Sequence, residues 1–244
     1  MKVDVVLSPA EIALLRGRDL SGVTCVVFDV LRATSSIVTA FAHGVSSVVP
    51  VETIDEAWDW RRRDPGVVLG GERHGDRIEG FDLGNSPFEY RSGLEGRRVV
   101  TTTTNGTVAL RACAGADRVL VGALLNLEAV FKALCSLQPD RVLLVCAGTF
   151  ADFALEDAVA AGRLAVRLES VGGELGDAAH AVAALGSRYA RALDGLLESA
   201  NGRVLVGRGR REEVEWCARE SAYGVVPVLA GEFLRARDFT GDNG

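Results

Sequence analysis

Residues 23–44 read VTCVVFDVLRATSSIVTAFAHG. The first part, 23–30, is rich in β-branched residues and shows no helical period. It reads as a buried strand. The second part, 35–43, reads as a helix, and Gly44 closes it. Between them lies a polar junction of Asp29, Arg32, Thr34, Ser35 and Ser36. A buried strand running directly into a helix is the unit from which parallel sheets are built.

Working outward, the same alternation recurs. Strands are expected at 3–7, 45–51, 67–69, 97–101, 118–121, 141–147 and 225–229. Helices are expected at 9–17, 54–63, 107–114, 126–137 and 153–168, then 177–185, 188–198 and 210–222. Ser8 is placed as an N-cap with Pro9 at the first helical position. Residues 70–96 have neither period. At that length a loop is usually functional, and Phe81, Leu83, Phe88 and Tyr90 argue that it is ordered. After residue 229 a frayed acidic tail is expected. The fold class is therefore α/β, a three-layer α/β/α arrangement with a largely parallel or mixed sheet and a helical C-terminal third. The chain reads as a single unit over 1–244; the alternative division is an α/β core at 1–169 and a mostly helical part at 170–244.

Composition bounds the function. The chain has 244 residues, a net charge of −6, 48% hydrophobic and 25% charged residues. That is ordinary for a globular protein and too apolar for disorder. The acidic balance argues against a nucleic-acid partner. No apolar run approaches membrane-spanning length, so no membrane partner is expected. Of 27 basic residues all but Lys2 and Lys132 are Arg. The clusters at 61–63 and 208–211 read as solvated helix faces. The five Cys show no paired spacing and read as buried reduced thiols, which with the absence of a leader at the start suggests the cytoplasm. A homodimer is expected from the prevalence of two-fold assemblies.

In open α/β sheets ligands bind beyond the carboxyl ends of the strands. Four such ends carry chemistry: Asp29–Ser36, Gly70–Gly75, Thr101–Thr107 and Ala147–Asp157. The Thr-Asn-Gly loop opens a helix. It is either an anion cradle of free N–H groups and hydroxyls or a plain helix cap. Asp29 ends an apolar strand, where a carboxylate is costly unless paired or bound to a cation. It either pairs with Arg32, or binds a divalent cation while Arg32 holds an anionic substrate. Asp152 and Glu156, four apart, would share a helix face. Carboxylates scattered over several loops, with only three His, suit Mg²⁺ better than Zn²⁺. Neither a Walker A loop nor a G-x-G-x-x-G turn is present. Near-matches to other phosphatase signatures fail, including Arg73-His74-Gly75, which lies several strand–helix units into the chain. From the residues alone, the reading stops at metal-assisted chemistry on a small anion.

Five segments, FDVLRATSSIVTAFAHG, GERHG, GFDLGNSPFEY, TTTTNGT and CAGTFADFALEDAVAAG, occur in that order over roughly residues 20–165. As an ordered set they resemble the motifs of the 2-phosphosulfolactate phosphatase family. The resemblance implies a Mg²⁺-dependent phosphoric monoester hydrolase that converts 2-phospho-3-sulfolactate, on the route to coenzyme M, to 3-sulfolactate and phosphate. The alternatives are a hydrolase or lyase on another phosphorylated or sulfonated hydroxy acid, or a non-catalytic anion-binding protein. Carried onto this chain, Asp29 and Glu72 would be metal ligands, with Asp82, Glu156 and Asp157 as further candidates. Arg32 would bind substrate oxygens, and Thr102, Thr103, Asn105 and Gly106 would cradle phosphate. Arg73 and His74 would lie close to the chemistry, with His74 either protonating the leaving alkoxide or orienting Glu72. Asn85 and Ser86 would hold the long loop or touch substrate. The attacking group would be water or Asp29 itself.

Overall fold

The structure, a computed structural model, describes residues 1–237 and 239. Its centre is β2 (Val23–Phe28), buried at every position. Because successive side chains alternate, Cys25 and Val27 enter one core while Val26 and Phe28 enter another. Parallel to β2 on either side run β7 (Arg118–Gly122) and β8 (Arg141–Cys146), and β1 (Lys2–Val6) and β9 (Glu174–Leu175) continue that edge. A second parallel group consists of β3 (Ser47–Pro50), β6 (Arg98–Thr102) and β4 (Val68–Arg73), with the short β5 (Asp76–Arg77) folded back antiparallel on β4.

The two groups are joined by an element that the sequence patterning places only in part. The expected strand at 225–229 is β10 (Val226–Ala230). Instead of a frayed tail, the chain then turns at Gly231 and returns as β11 (Phe233–Arg237). This hairpin lies antiparallel between β7 and β3 and completes an 11-stranded sheet in the order β5-β4-β6-β3-β11-β10-β7-β2-β8-β1-β9. The rest of the expected tail falls mainly outside the described residues. Only Leu234 of β11 is buried, which is why its apolar pattern is faint.

Helices cover both faces. On one side α1 (Pro9–Leu15), α2 (Ala33–Ala42) and α4 (Gly106–Ala112) share a core cluster with Val48 and Val99 of one group and Val27 and Val121 of the other. Among these, α2 buries nearly its whole length. On the outer side α3 (Ile54–Arg63) covers the β3–β6–β4 group. The β7–β2–β8–β1 group is covered by α5 (Leu127–Leu137), α6 (Leu155–Ser170), α7 (Asp177–Arg188) and α8 (Ala192–Glu198). As expected, Ser8 caps α1 and Pro9 begins it.

The helical third differs in detail from the patterning. The helix expected from 153 begins at Leu155, so Asp152 lies outside it and pairs by backbone with Thr149 instead. The helix expected at 188–198 is the shorter α8. It is followed by an unforeseen α9 (Ala200–Gly207) and by α10 (Arg211–Cys217). The close approach of α6 and α7 depends on Gly162, where an added Cβ would stand 1.9 Å from the Val182 carbonyl. The loop at 70–96 is ordered, as expected. Phe81 and Tyr90 are buried, and the Tyr90 hydroxyl donates to the Gly84 carbonyl at 2.9 Å. No helix among the described residues is long and apolar enough to cross a membrane.

Candidate active site

The ends of β2, β4, β6 and β8 belong to groups separated in sheet order by the β10–β11 hairpin, yet they meet. Contacts across the meeting point include Asp29 against Gly106, where a Cβ would lie 2.6 Å from Oδ2, and Arg32 donating to the Gly75 carbonyl at 3.0 Å. The sheet thus curves around α2, and the strand ends converge over the N-terminus of that helix. They line an open cavity of about 460 Å³. A smaller depression of about 240 Å³, beside β3 and α3, contains none of the candidate residues from the sequence.

Asp29 forms part of the cavity floor. Ala33 N–H donates to its Oδ1 at 3.1 Å, and Thr34 bonds its backbone on both sides. Burial, with the nearby Glu72 and Glu156 carboxylates, pushes its carboxyl from the usual 3.8 up to about 7, against the opposing pull of the Ala33 N–H and Arg32. Glu72 is buried opposite, and both of its oxygens are pinned: Oε1 accepts from Thr104 N–H and Oε2 from Gly75 N–H, each at 2.7 Å. Gly71 allows this approach. It has φ 140, and a Cβ there would lie 2.0 Å from the Thr102 carbonyl, so β4 and β6 come together only around a glycine.

Arg32 is buried and lines the cavity, its guanidinium held by Glu213 and by the Gly75 carbonyl. His74 sits at the mouth with φ 56, stacked on Phe150 at 5.7 Å. Its ring makes no hydrogen bond to Glu72 among the described residues, so it does not orient that carboxylate. Asn105 bridges two strand ends: its amide donates to the Ala147 and Phe150 carbonyls and accepts from Phe150 N–H, at 3.0–3.1 Å. Asn85 is buried in the lining, and its carbonyl accepts from Ser36.

Other candidates are placed elsewhere. Asp82 is exposed, bonded to Arg61 and to Leu69 N–H, which removes it from any shared cation site. Arg73 turns away to the Glu52 and Glu72 carbonyls and Thr102 Oγ1. Ser86 forms a capping box with Glu89. Thr102 is fully buried, and Thr103 exchanges hydrogen bonds with Thr107. The N–H groups of Thr103 and Thr104 are already bonded, so the loop acts in large part as a cap rather than a bare cradle. Gly106 touches Asp29 rather than the cavity.

Glu156 and Asp157 lie behind the floor. Asp157 accepts from Val30 N–H at 2.8 Å and Gly148 N–H at 3.1 Å, and so ties the β2 and β8 ends together. Burial first, and then the Glu156 and Asp29 charges, hold its carboxyl well above the usual range. Burial also raises Glu156, which Ser199 and Asn201 partly counter.

The sequence reading missed the other walls. Asn201, Val204, Leu205 and Arg208 come from α9 and its C-terminal cap, and Phe150 and Phe153 from the loop after β8. Thr104 belongs to the Thr-Asn-Gly loop, which the sequence offers as an anion cradle or a helix cap. In the structure its hydroxyl is buried at the cavity with no partner among the described residues.

Among the described residues no three His, Cys, Asp or Glu side chains form a group able to hold a metal ion. The cavity lining carries three carboxylates, Asp29, Glu72 and the exposed Asp152, together with His74; Asp29 and Glu72 are the two whose charges act on each other. Mg²⁺ is commonly held by one or two carboxylates, with water and substrate phosphate completing the shell. Burial, and then the neighbouring Glu72 and Glu156 charges, make an ionised Asp29 costly, and a cation bound there would offset that cost. The residues therefore fit Mg²⁺.

A sequence model of the family described as 2-phosphosulpholactate phosphatase matches residues 11–232. A protein of Thermotoga petrophila named probable 2-phosphosulfolactate phosphatase is 39% identical over 97% of this chain and 99% of its own length. Similarly named proteins of Symbiobacterium thermophilum and Carboxydothermus hydrogenoformans are 42% and 38% identical, over 86% and 93% of this chain and 93% and 92% of their own. With the match running through all four converging strand ends and the α9 wall, this chain belongs to the 2-phosphosulfolactate phosphatase family.

Proposed function

We propose that this protein hydrolyses 2-phospho-3-sulfolactate to 3-sulfolactate and inorganic phosphate, with Mg²⁺ as cofactor. Membership of the family makes it a phosphoric monoester hydrolase; the substrate and the cation are the specific part of the reading. The observation that carries it is the placement of Asp29 and the doubly pinned Glu72 on the floor of one open cavity, next to the buried Arg32.

Asp29 and Glu72 would hold the cation. When bound, Mg²⁺ supplies neutralisation of the phosphoryl charge that builds up during transfer. The chain's own residues do the rest. Arg32, fixed by Glu213 and Gly75, keeps a permanent positive charge beside the phosphoryl oxygens. The net reaction bonds a water oxygen to phosphorus and breaks the bond from phosphorus to the ester oxygen. The leaving alkoxide needs a proton, and His74 at the mouth would donate it. Phe150 and Phe153 supply apolar surface at the mouth beside that step.

The test is phosphate release from 2-phospho-3-sulfolactate with Mg²⁺ and with a chelator, for wild type, Asp29→Asn and Glu72→Gln. Release should require Mg²⁺ and fall by about 100-fold or more in either variant. Release unaffected by chelation would overturn the metal assignment. Absence of release from this ester would overturn the substrate.

A further inference from the structure

We propose that Arg208 grips the acid group of the substrate that is not hydrolysed, and so restricts the enzyme to phosphomonoesters that carry a second anion. This rests on the phosphatase reading above and extends it to the wall opposite the reacting phosphoryl group.

The first support is the shape of that wall. Ala200, Asn201, Val204, Leu205 and Arg208 all line the cavity, and their spacing is that of one face of a helix. The face is apolar in the middle and ends in a guanidinium. Val204 is 50% exposed, and across the opening Phe150 is 56% exposed. A rim with this much bare apolar surface encloses the organic part of a ligand rather than a lone phosphate. The volume agrees: the cavity is about 460 Å³, whereas each water takes up about 30 Å³ and a phosphoryl group displaces only a few.

The second support is the state of the cations. Arg32 is committed to the buried Glu213 and the Gly75 carbonyl. Arg208 is not committed in this way. Its Nη1 donates to the His74 carbonyl at 3.2 Å and reaches Asp76 at 3.4 Å. Asp76 is exposed and is shared with Arg210 at 3.7 Å. Long, solvent-facing pairs of this kind are worth little and exchange readily for a ligand. A guanidinium fork matches the paired oxygens of a carboxylate or sulfonate.

The third support is charge. The floor carries Asp29 and Glu72, which repel a second acid group from that end. Arg208 compensates such a group at the other end. The Arg208 guanidinium lies against Gly75, where a Cβ would stand 2.9 Å from Nη1.

The test compares wild type, Arg208→Gln and Arg208→Lys on three esters: 2-phospho-3-sulfolactate, 2-phospholactate and isopropyl phosphate. Arg208 is half-exposed, and circular dichroism melts check that each variant folds. In Arg208→Gln the preference in kcat/KM for an acid-bearing ester over isopropyl phosphate should fall about 10- to 100-fold, chiefly through KM. Arg208→Lys should recover part of it. A collapse shown only by the sulfonated ester assigns Arg208 to the sulfonate; one shared with 2-phospholactate assigns it to the carboxylate. A uniform fall for all three esters, or none, overturns the proposal. If the wild type hydrolyses none of them, the phosphatase reading fails separately, and calorimetric binding of 3-sulfolactate decides Arg208. Binding by wild type that weakens at least tenfold in Arg208→Gln supports the assignment; equal binding, or none, overturns it.

Discussion

Arg32, four residues beyond the central strand, and Glu213, in the last helix, form a buried ion pair across 181 positions of sequence. The pair fixes the guanidinium at the cavity and ties the helical third to the site. Removing one partner from such a pair leaves an uncompensated buried charge. Glu213→Ala should therefore cost about 3–5 kcal/mol in urea unfolding. The double variant Arg32→Met, Glu213→Leu should regain most of that stability but not the activity. Equal losses in the single and double variants would contradict this account.

Asn105 connects the β6 end to the loop after β8 through three hydrogen bonds. Asn105→Ala should destabilise the protein by about 1–3 kcal/mol. It should also free the segment that carries Phe150, seen as faster protease cleavage within 148–153 and a raised KM. Unchanged cleavage in that segment would show that the loop is held by other contacts.

The Thr104 hydroxyl is buried beside the cavity with no partner among the described residues. A buried hydroxyl that makes no hydrogen bond in the free protein contributes nothing to stability. Thr104→Val should keep or raise the melting temperature while kcat/KM falls about tenfold. A lower melting temperature with full activity would assign the hydroxyl to the fold instead.

Asp29 gives the metal-free protein a pH-dependent stability. Its carboxyl titrates near pH 7 when folded, against the usual 3.8. The folded state thus binds the proton more tightly, and its stability falls as pH rises from about 4 to about 7. In the presence of chelator the wild type should melt lower at pH 8 than at pH 5, and Asp29→Asn should flatten that slope. Mg²⁺ added at pH 8 should stabilise wild type more than Asp29→Asn. An equal slope in the two proteins would mean that another group carries the titration.

Elements with strong local periodicity were legible from residues alone. The run at 23–30 and the polar groups after it announce a buried strand with a site at its end. The hidden elements lack such a signal. In α9, ANGRVLVG, two glycines and an asparagine depress helix propensity. Gly202 is nonetheless required, since a Cβ there would stand 1.8 Å from the Leu196 carbonyl. In β11 a single buried leucine gives no alternation to detect. Asp82 and Arg73 looked like site residues because they lie in the right loops, and nothing local reveals that Arg61 and Thr102 bind them.

The sequence by itself determined the α/β alternation and which polar residues follow each strand, because both depend on neighbours a few positions apart. Only the tertiary structure decided which strand ends meet. Phe233–Arg237 returns to pair with β3, at Leu234 and Val48, and seats the C-terminal hairpin between the two parallel groups. The sheet curves around the buried α2, and Asp29, Glu72, Asn105 and Arg208 come to share one cavity. Pairings across such sequence distances are selected by the burial of the whole core, so no local pattern encodes them.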